Sequence, residues 1–171
     1  MSAVKDSDGR AANSGATVEI RRYLPGDEGA ISVVLRRTLM EVNANYCPAV
    51  EMDWLYNRYT PETVAQIASE GHMYSMLEDG VIVGTGTVMI TGEKECEIIA
   101  AFLLPEAIGR GLGAKLFRVL EDDCRSTGAT KIWLTSSVNA LDFYEKHDYI
   151  NPVGYRMRSP EDNLLHMEKM L

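Results

Sequence analysis

The sequence has few cysteines, no long apolar run and fewer basic than acidic residues, and each of these shortages excludes a class of protein. Its three cysteines are an odd number without Cys-x-x-Cys spacing, which argues against a disulfide framework and against metal ligation, and indicates a reducing compartment such as the cytoplasm. No apolar stretch reaches the length of a membrane helix, and the polar first 16 residues lack the apolar core of a secretory signal. With 17 basic against 25 acidic residues, a net charge of -8, the surface would repel a nucleic-acid backbone. We therefore expect no bound metal, no nucleic acid and no membrane among its partners.

What remains is the composition of an ordinary globular domain. Of the 171 residues, 46% are apolar and 25% are charged, which suits a single hydrophobic core. Residues 1–16 are rich in Ser, Gly, Asp and Ala and predict a flexible N-terminal tail. Residues 17–171 are then predicted to form one domain.

The apolar pattern changes between strand and helix periods, which predicts a mixed α/β (α+β) fold. Strands are predicted at residues 18–23, 73–77, 81–90, 95–104, 131–135, 150–155 and 164–169. Helices are predicted at residues 27–42, with Asp27 as the cap, and at 60–71, 112–128 and 140–147, while residues 43–59 are predicted to be irregular. Three consecutive hairpin-linked strands, followed by a strand–helix–strand crossover, predict a mostly antiparallel sheet with one parallel pair.

A glycine turn, residues 108–113 with the sequence Ile-Gly-Arg-Gly-Leu-Gly, lies between a predicted strand and a predicted helix. Glycine lets backbone N–H groups approach a ligand closely, and a helix start adds unpaired N–H donors and a positive dipole end. These features favour a site for an anion such as a pyrophosphate, with Arg110 and Lys115 adding charge. The Rossmann glycine spacing and the Walker pattern are both absent, and a turn that merely begins a helix is the alternative.

Together with its flanking segments, the glycine turn resembles the acetyl-CoA motif of the GCN5-related N-acetyltransferase (GNAT) family. Gly111 and Gly113 match the glycines of the family pattern Gln/Arg-x-x-Gly-x-Gly/Ala, whereas Ile108 stands where Gln or Arg is usual. Asn139 and the segment 140–146 resemble the next family motif, a short helix that carries an Asn and a Tyr. The resemblance implies the GNAT fold: a central twisted sheet, mixed but mostly antiparallel, with a splayed parallel strand pair and helices on both faces.

The resemblance also implies how acetyl-CoA would bind as the acyl donor. Backbone amides of the glycine turn would hold the diphosphate, and the preceding strand would pair with the pantetheine arm, with the N–H of Leu103 facing the thioester oxygen. Asn139 would contact coenzyme A, cap the short helix, or do both. The implied cofactor-binding residues are Phe102, Leu103, Leu104, Gly109, Arg110, Gly111, Leu112, Gly113, Ala114, Asn139 and Tyr144.

Two catalytic residues are implied by the same resemblance. Tyr144 would act as the general acid that protonates the departing thiolate, although a tyrosine on a short helix is also a common core aromatic. Glu97 corresponds to the glutamate base of histone-type members. The alternative interpretation is that Glu97 is a strand residue whose side chain simply faces solvent. Three further carboxylates are candidates either to bind a cationic acceptor or simply to face water: Glu41, Glu51 and Asp53. Three aromatics would either line the acceptor pocket or pack under a long loop: Tyr46, Trp54 and Tyr56.

The sequence therefore predicts an acetyl-CoA-dependent N-acetyltransferase that acts on a primary amine of a small molecule or peptide by direct attack. A non-catalytic acyl-CoA-binding or regulatory domain of the same fold, and transfer of a longer acyl group, are the alternatives. The acidic, aromatic segment before residue 59 slightly favours a cationic acceptor. The resemblance allows a homodimer, because the family often forms dimers.

Overall fold

The structure, a computed structural model, describes residues 15–152 and 164–171. The tail predicted at residues 1–16 therefore lies almost wholly outside the described residues. The strand predicted at 150–155 lies partly outside them, and of its described residues Ile150 forms an isolated antiparallel bridge with Glu168.

Six strands form one mixed sheet. They are β1 (Val18–Arg22), β2 (His72–Glu78), β3 (Val81–Ile90), β4 (Glu95–Leu103), β5 (Lys131–Ser137) and β6 (Leu164–Met170). The strands lie in chain order across the sheet, and every neighbouring pair is antiparallel except β4 with β5. The mixed sheet with one parallel pair is confirmed.

Five helices accompany the sheet among the described residues. They are α1 (Glu28–Glu41), α2 (Ala49–Arg58), α3 (Pro61–Glu70), α4 (Leu112–Ser126) and α5 (Leu141–Glu145). Thr60 caps α3, because its side chain accepts the N–H of Thr63 at 3.3 Å. Asp27 precedes α1, but it makes no side-chain cap; its carboxylate accepts from Arg21 and Ser75 instead.

The helices cover both faces of the sheet. α1, α2 and α3 pack on one face, around a cluster that includes Ile31, Leu35 and Val64. α4 and α5 pack on the other, and Leu120 of α4 lies so close to the sheet that a Cβ on Gly86 of β3 would be 2.7 Å from its side chain. Gly86 is therefore a close packing point between the sheet and α4.

The prediction that residues 43–59 are irregular is wrong, because this segment contains α2. Met52 is the one buried side chain among those of α2 that the structure describes, whereas Trp54 and Tyr56 face outward. The guanidinium of Arg58 lies 5.1 Å from the ring centre of Trp54, a cation–π contact worth about 0.5–1 kcal/mol at an exposed site. The outward aromatics hide the helical period of the apolar residues.

The two parallel strands pair only at their beginnings. Residues 95–98 of β4 lie opposite residues 131–134 of β5, and the register ends there. Beyond this point residues 99–103 and 135–137 border an opening between the strands, which we call the β4–β5 gap. The splayed parallel pair implied by the sequence resemblance is thus present.

A bulge in β4 lies where the gap opens. Pairing with β3 passes from Thr87 opposite Ile99 to Thr85 opposite Phe102, so β4 carries one extra residue. Ala100 within the bulge has a φ of 49°, a left-handed conformation that is uncommon for a residue with a Cβ. A bulge bends its strand and increases the local twist, which accounts for the divergence of β4 from β5.

Candidate functional site

The glycine turn has a run of backbone N–H groups that find no acceptor among residues 15–152 and 164–171. Gly109 and Gly111 have φ values of 77° and 78°, and Gly111 directly precedes α4. Within the described part of the chain, none of the amides from Gly109 to Ala114 donates a hydrogen bond, and the first helical bond runs from Lys115 N–H to Gly111 C=O at 3.4 Å. Six consecutive donors at a helix N-terminus, which carries about half a positive charge, are an arrangement that favours an anion.

The surface over this turn is open. A Cβ built on Gly109 or Gly111 would meet no atom within 4 Å, so backbone conformation alone explains these two glycines. Gly113 differs, because its Cβ would lie 3.1 Å from the ring of Phe143 in α5. The third glycine therefore allows close packing of α4 against α5.

The two cations predicted near the turn have different surroundings. The guanidinium of Arg110 pairs with both carboxylate oxygens of Glu78 at the end of β2, which raises the pKa of Arg110. Its charge is directed at Glu78, so its contribution to the turn is its backbone amide. Lys115 is exposed on the first turn of α4 and makes no ion pair with any residue in the described ranges.

The three strand residues predicted to pair with the pantetheine arm differ in where their backbone groups face. The N–H of Leu104 donates to the carbonyl of Val83 at 2.8 Å, and Phe102, two residues earlier, follows the same alternation toward β3. Leu103 lies between them opposite Gly84, at a position that does not hydrogen-bond to β3. Leu103 is therefore the one of the three whose N–H and C=O face the β4–β5 gap.

Tyr144 lies in α5 within a cluster of aromatic rings. Its ring centre is 5.3 Å from that of Phe117 and 5.7 Å from that of Tyr149, and 8% of the residue is exposed. Its hydroxyl has no hydrogen-bond partner among the described residues. Burial raises the pKa of Tyr144, so the phenol keeps its proton at neutral pH and can act as a donor.

Glu97 lies on β4 beside the closed end of the gap. It is opposite Met89 of β3 and Trp133 of β5, one residue before the last parallel pair. Its neighbours Cys96 and Ile98 are buried in the core beneath α4, so the alternation of the strand turns Glu97 to the opposite face. A base at this position would approach the gap from the side on which α1 lies.

Asn139 follows β5 in a short 3₁₀ turn, Val138–Ala140, and is exposed. The residue before α5 is Ala140, and no side chain caps that helix. The helix-capping interpretation of Asn139 is therefore wrong. After α5, Asp148 has a φ of 65°, a left-handed conformation that Asp adopts more readily than most residues with a Cβ.

The candidates for an acceptor pocket are spread over α1, the following turn and α2. Glu41 is bound by Arg37 at 2.7 Å, and this hydrogen bond lowers the pKa of Glu41. Asp53 and Trp54 are exposed on α2. Glu41 is thus already paired, and the exposed α2 residues remain accessible to a substrate.

Three general features complete the description of residues 15–152 and 164–171. No helix there is long and apolar enough to cross a membrane. No group of three or more His, Cys, Asp or Glu side chains is arranged to hold a metal ion. The three cysteines are free, and Cys96 and Cys124 are buried.

Comparisons with known proteins agree with the fold. The model of the acetyltransferase (GNAT) family matches residues 37–149, a range that includes the glycine turn, Glu97 and Tyr144. The Uncharacterized N-acetyltransferase YjgM of Escherichia coli (strain K12) is 28% identical over 134 residues, which cover 74% of this chain and 78% of that protein.

Two solved structures illustrate the likeness in fold. The PaiA N-acetyltransferase from Thermoplasma acidophilum, in complex with coenzyme A, superposes with a TM-score of 0.77 and 17% identity, over 91% of this chain and 99% of that one. The N-acetylglutamate synthase from Neisseria gonorrhoeae, complexed with coenzyme A and N-acetyl-glutamate, superposes with a TM-score of 0.70 and 18% identity, over 92% of this chain and 36% of that longer one. At these identities the likeness establishes the fold, and the family match over residues 37–149 establishes that the chain belongs to the acetyltransferase (GNAT) family of N-acetyltransferases.

Proposed function

We propose that this protein transfers an acetyl group from acetyl-CoA to a primary amine of a small molecule or peptide. The observation that carries the proposal is the run of unpaired amides from Gly109 to Ala114 at the start of α4. The N–H of Leu103, which faces the adjoining β4–β5 gap, adds a donor where the thioester would lie. The two related structures named above both contain coenzyme A, which supports the same donor here.

The donor would be held mainly by backbone groups. Amides from Gly109 to Ala114 would bind the diphosphate, and the exposed side chain of Asn139 would add a contact beside the gap. Ile108 is aliphatic and offers no side-chain hydrogen bond to the diphosphate. The backbone amides would therefore bind the diphosphate without the side-chain contact that the family's usual Gln or Arg adds. Phe102 and Leu104 would contact the pantetheine arm through their side chains, because their backbone groups face β3.

The chemical step in this proposal needs no acyl-enzyme. The amine nitrogen attacks the thioester carbon, a C–N bond forms, and the C–S bond breaks as the thiolate of coenzyme A leaves. Negative charge develops on the carbonyl oxygen, and the N–H of Leu103 would stabilise it. Positioning of the two substrates supplies much of the rate.

Glu97 and Tyr144 would manage the protons. An alkylammonium ion with a pKa of about 10.4 costs roughly 4.6 kcal/mol to deprotonate at pH 7, so a base is needed. Glu97 would take this proton, directly or through water, and Tyr144 would donate its phenolic proton to the departing sulfur. The net charge of -8 supports a cationic acceptor, and the free cysteines support a cytoplasmic location. A homodimer stays a prediction.

The test is release of the coenzyme A thiol from acetyl-CoA against a panel of amines, peptides and polyamines. Tyr144→Phe should lower kcat at least about tenfold, in line with the usual worth of acid catalysis. Tyr149→Phe is the matched control, because it removes a buried hydroxyl from the same aromatic cluster, and its kcat should stay within about twofold of wild type.

Two outcomes would contradict the proposal. If the protein binds acetyl-CoA in a calorimeter but acetylates no acceptor, the non-catalytic alternative is correct. If Tyr144→Phe and Tyr149→Phe have equal kcat values, Tyr144 has no part in the reaction. Comparing acetyl-CoA with longer acyl donors decides the preferred chain length.

A further inference from the structure

The C-terminal end of α1 contacts both strands that border the β4–β5 gap. On the β4 side, the hydroxyl of Thr38 donates to the carbonyl oxygen of Leu103 at 2.6 Å. On the β5 side, the side-chain amide of Asn43, just after α1, lies 3.4 Å from the hydroxyl of Ser137. Thr38 and Asn43 are 4% and 8% exposed. The end of α1 therefore bridges the two strands at the open end of the gap.

Thr38 is one of two polar residues among the buried residues of α1, and Ser32 is the other. Its hydroxyl also lies 2.8 Å from the carbonyl of Val34 in the preceding turn, a common contact for a threonine within a helix. The contact with Leu103 is the shorter of the two and joins α1 to a strand 65 residues away. Local helix geometry accounts for the Val34 contact but not for the Leu103 contact.

The peptide between Leu103 and Leu104 is held at both ends. Its carbonyl accepts from Thr38, and its N–H donates to Val83 of β3 at 2.8 Å. The preceding peptide carries the N–H of Leu103 and shares the Cα of Leu103 with this fixed peptide. Because two linked peptide planes have only the φ and ψ of the shared residue between them, fixing one restricts the direction of the other.

A second contact fixes α1 to the same segment. Arg37 donates to both carboxylate oxygens of Glu106, at 2.9 and 3.2 Å, and Glu106 lies in the short turn Pro105–Ala107 between β4 and the glycine turn. Consecutive residues of α1 thus hold the end of β4 and the turn after it. α1 is therefore a rigid support for the backbone that leads from the gap to the glycine turn.

We propose that Thr38 is a positioning residue for acetyl transfer, and that its hydroxyl fixes the direction of the Leu103 N–H toward the thioester oxygen. This inference rests on the proposed function. A donor to a developing oxyanion is effective only over a narrow range of distance and direction, so loss of the support should lower kcat. The KM for acetyl-CoA should change little, because the diphosphate would be held elsewhere, at Gly109 to Ala114.

Three variants separate positioning from general stability. Thr38→Val keeps the shape and removes the donor, whereas Thr38→Ser keeps the hydroxyl. Ser32→Ala is the matched control, because Ser32 lies on the same helix, is 4% exposed and donates to the carbonyl of Tyr59 at 2.6 Å, away from the gap. Each is assayed for kcat, for KM of acetyl-CoA and for melting temperature.

Thr38→Val should lower kcat at least about tenfold, a smaller loss than the roughly 10²–10³-fold seen when an oxyanion donor is removed outright. The KM for acetyl-CoA should stay within about threefold of wild type. Thr38→Ser should keep kcat within about threefold of wild type, and Ser32→Ala should lower the melting temperature while kcat stays within about twofold. If Thr38→Val does not fold, Thr38→Cys replaces it, because a thiol fills the site and donates only weakly. Its kcat should then fall clearly below that of Thr38→Ser.

Equal kcat values for Thr38→Val and Ser32→Ala, a rise in KM without a fall in kcat, or a Thr38→Cys variant as active as Thr38→Ser would overturn the inference. Each of these results leaves the proposed function intact, since wild type would still transfer acetyl groups. A wild-type protein that binds acetyl-CoA and transfers nothing would instead remove the proposed function, and this inference with it.

Discussion

Replacing Gly111 by aspartate tests whether the glycine turn binds the diphosphate of the donor. Gly111 has a φ of 78°, and a Cβ there would meet no atom within 4 Å. Asp and Asn are the residues with a Cβ that adopt this conformation most readily, so Gly111→Asp and Gly111→Asn should both fold. They differ in one charge, which the aspartate adds among the amides that would bind the phosphates.

The magnitude follows from Coulomb's law. At about 6 Å from a phosphate, one added negative charge raises the free energy of binding by about 0.7 kcal/mol at the dielectric constant of water and by about 2.8 kcal/mol at an effective value of 20. The diphosphate carries more than one charge and the site is partly exposed, so the sum should reach at least about 1.4 kcal/mol, a tenfold rise in the dissociation constant. Because exposed charges are screened by salt, the difference in coenzyme A affinity between the Asp and Asn variants should narrow in about 0.5 M salt, where the Debye length is roughly half its value at 0.1 M.

The assay is titration calorimetry with coenzyme A, and Gly128→Asp is the matched control. Gly128 follows the other end of α4, has a φ of 83° and also has no atom within 4 Å of a built Cβ. Its aspartate variant should bind coenzyme A within about twofold of wild type. Charge effects at a helix end fall off within one turn, and Gly128 lies at the opposite end of α4 from the glycine turn. If Gly111→Asp and Gly111→Asn weaken binding equally, or if neither weakens it, the diphosphate is not held by these amides.

Two further predictions concern carboxylates. Glu97→Gln should lower kcat and flatten the low-pH limb of the rate profile, and an unaltered profile would assign the proton to another base or to a water chain. Asp27 accepts two hydrogen bonds from Arg21, which together with other donors lower its pKa to about 2. Because its folded pKa lies below the unfolded value of about 3.9, its contribution to stability is full above about pH 4 and is lost as the pH falls toward 2. Asp27→Asn should therefore cost about 2 kcal/mol in urea unfolding at pH 7 and much less at pH 2.5, and an equal loss at both pH values would contradict this.

Much of the fold follows from local chemistry that the sequence displays. Asp79 and Gly80 form the two-residue hairpin turn between β2 and β3, with φ values of 49° and 83°, as an Asp-Gly pair predicts. Thr60 and Pro61 begin α3 where the cap and first-turn preferences put them. These features depend on a few neighbouring residues, so a short stretch of sequence is enough to predict them.

Features that depend on distant parts of the chain could not be predicted in this way. The period of α2 was hidden because Trp54 and Tyr56 face outward. The orientation of Leu103 depends on its register with β3, and the role of Thr38 depends on a carbonyl 65 residues away. In the sequence, Thr38 is simply one member of the inner face of a helix. The glycine turn was found because its residue types are themselves the signal.

The third glycine of the turn has a different consequence from the first two. Since a Cβ on Gly113 would lie 3.1 Å from Phe143, the first turn of α4 touches the residue that precedes Tyr144 in the chain. The start of α4, which would bind the phosphates, and α5, which carries Tyr144, are therefore closely packed at this position. A methyl group at position 113 would require the ring of Phe143 to shift by a few tenths of an ångström. The size of residue 113 would thus affect both the binding of coenzyme A at the start of α4 and the placing of the proton donor in α5.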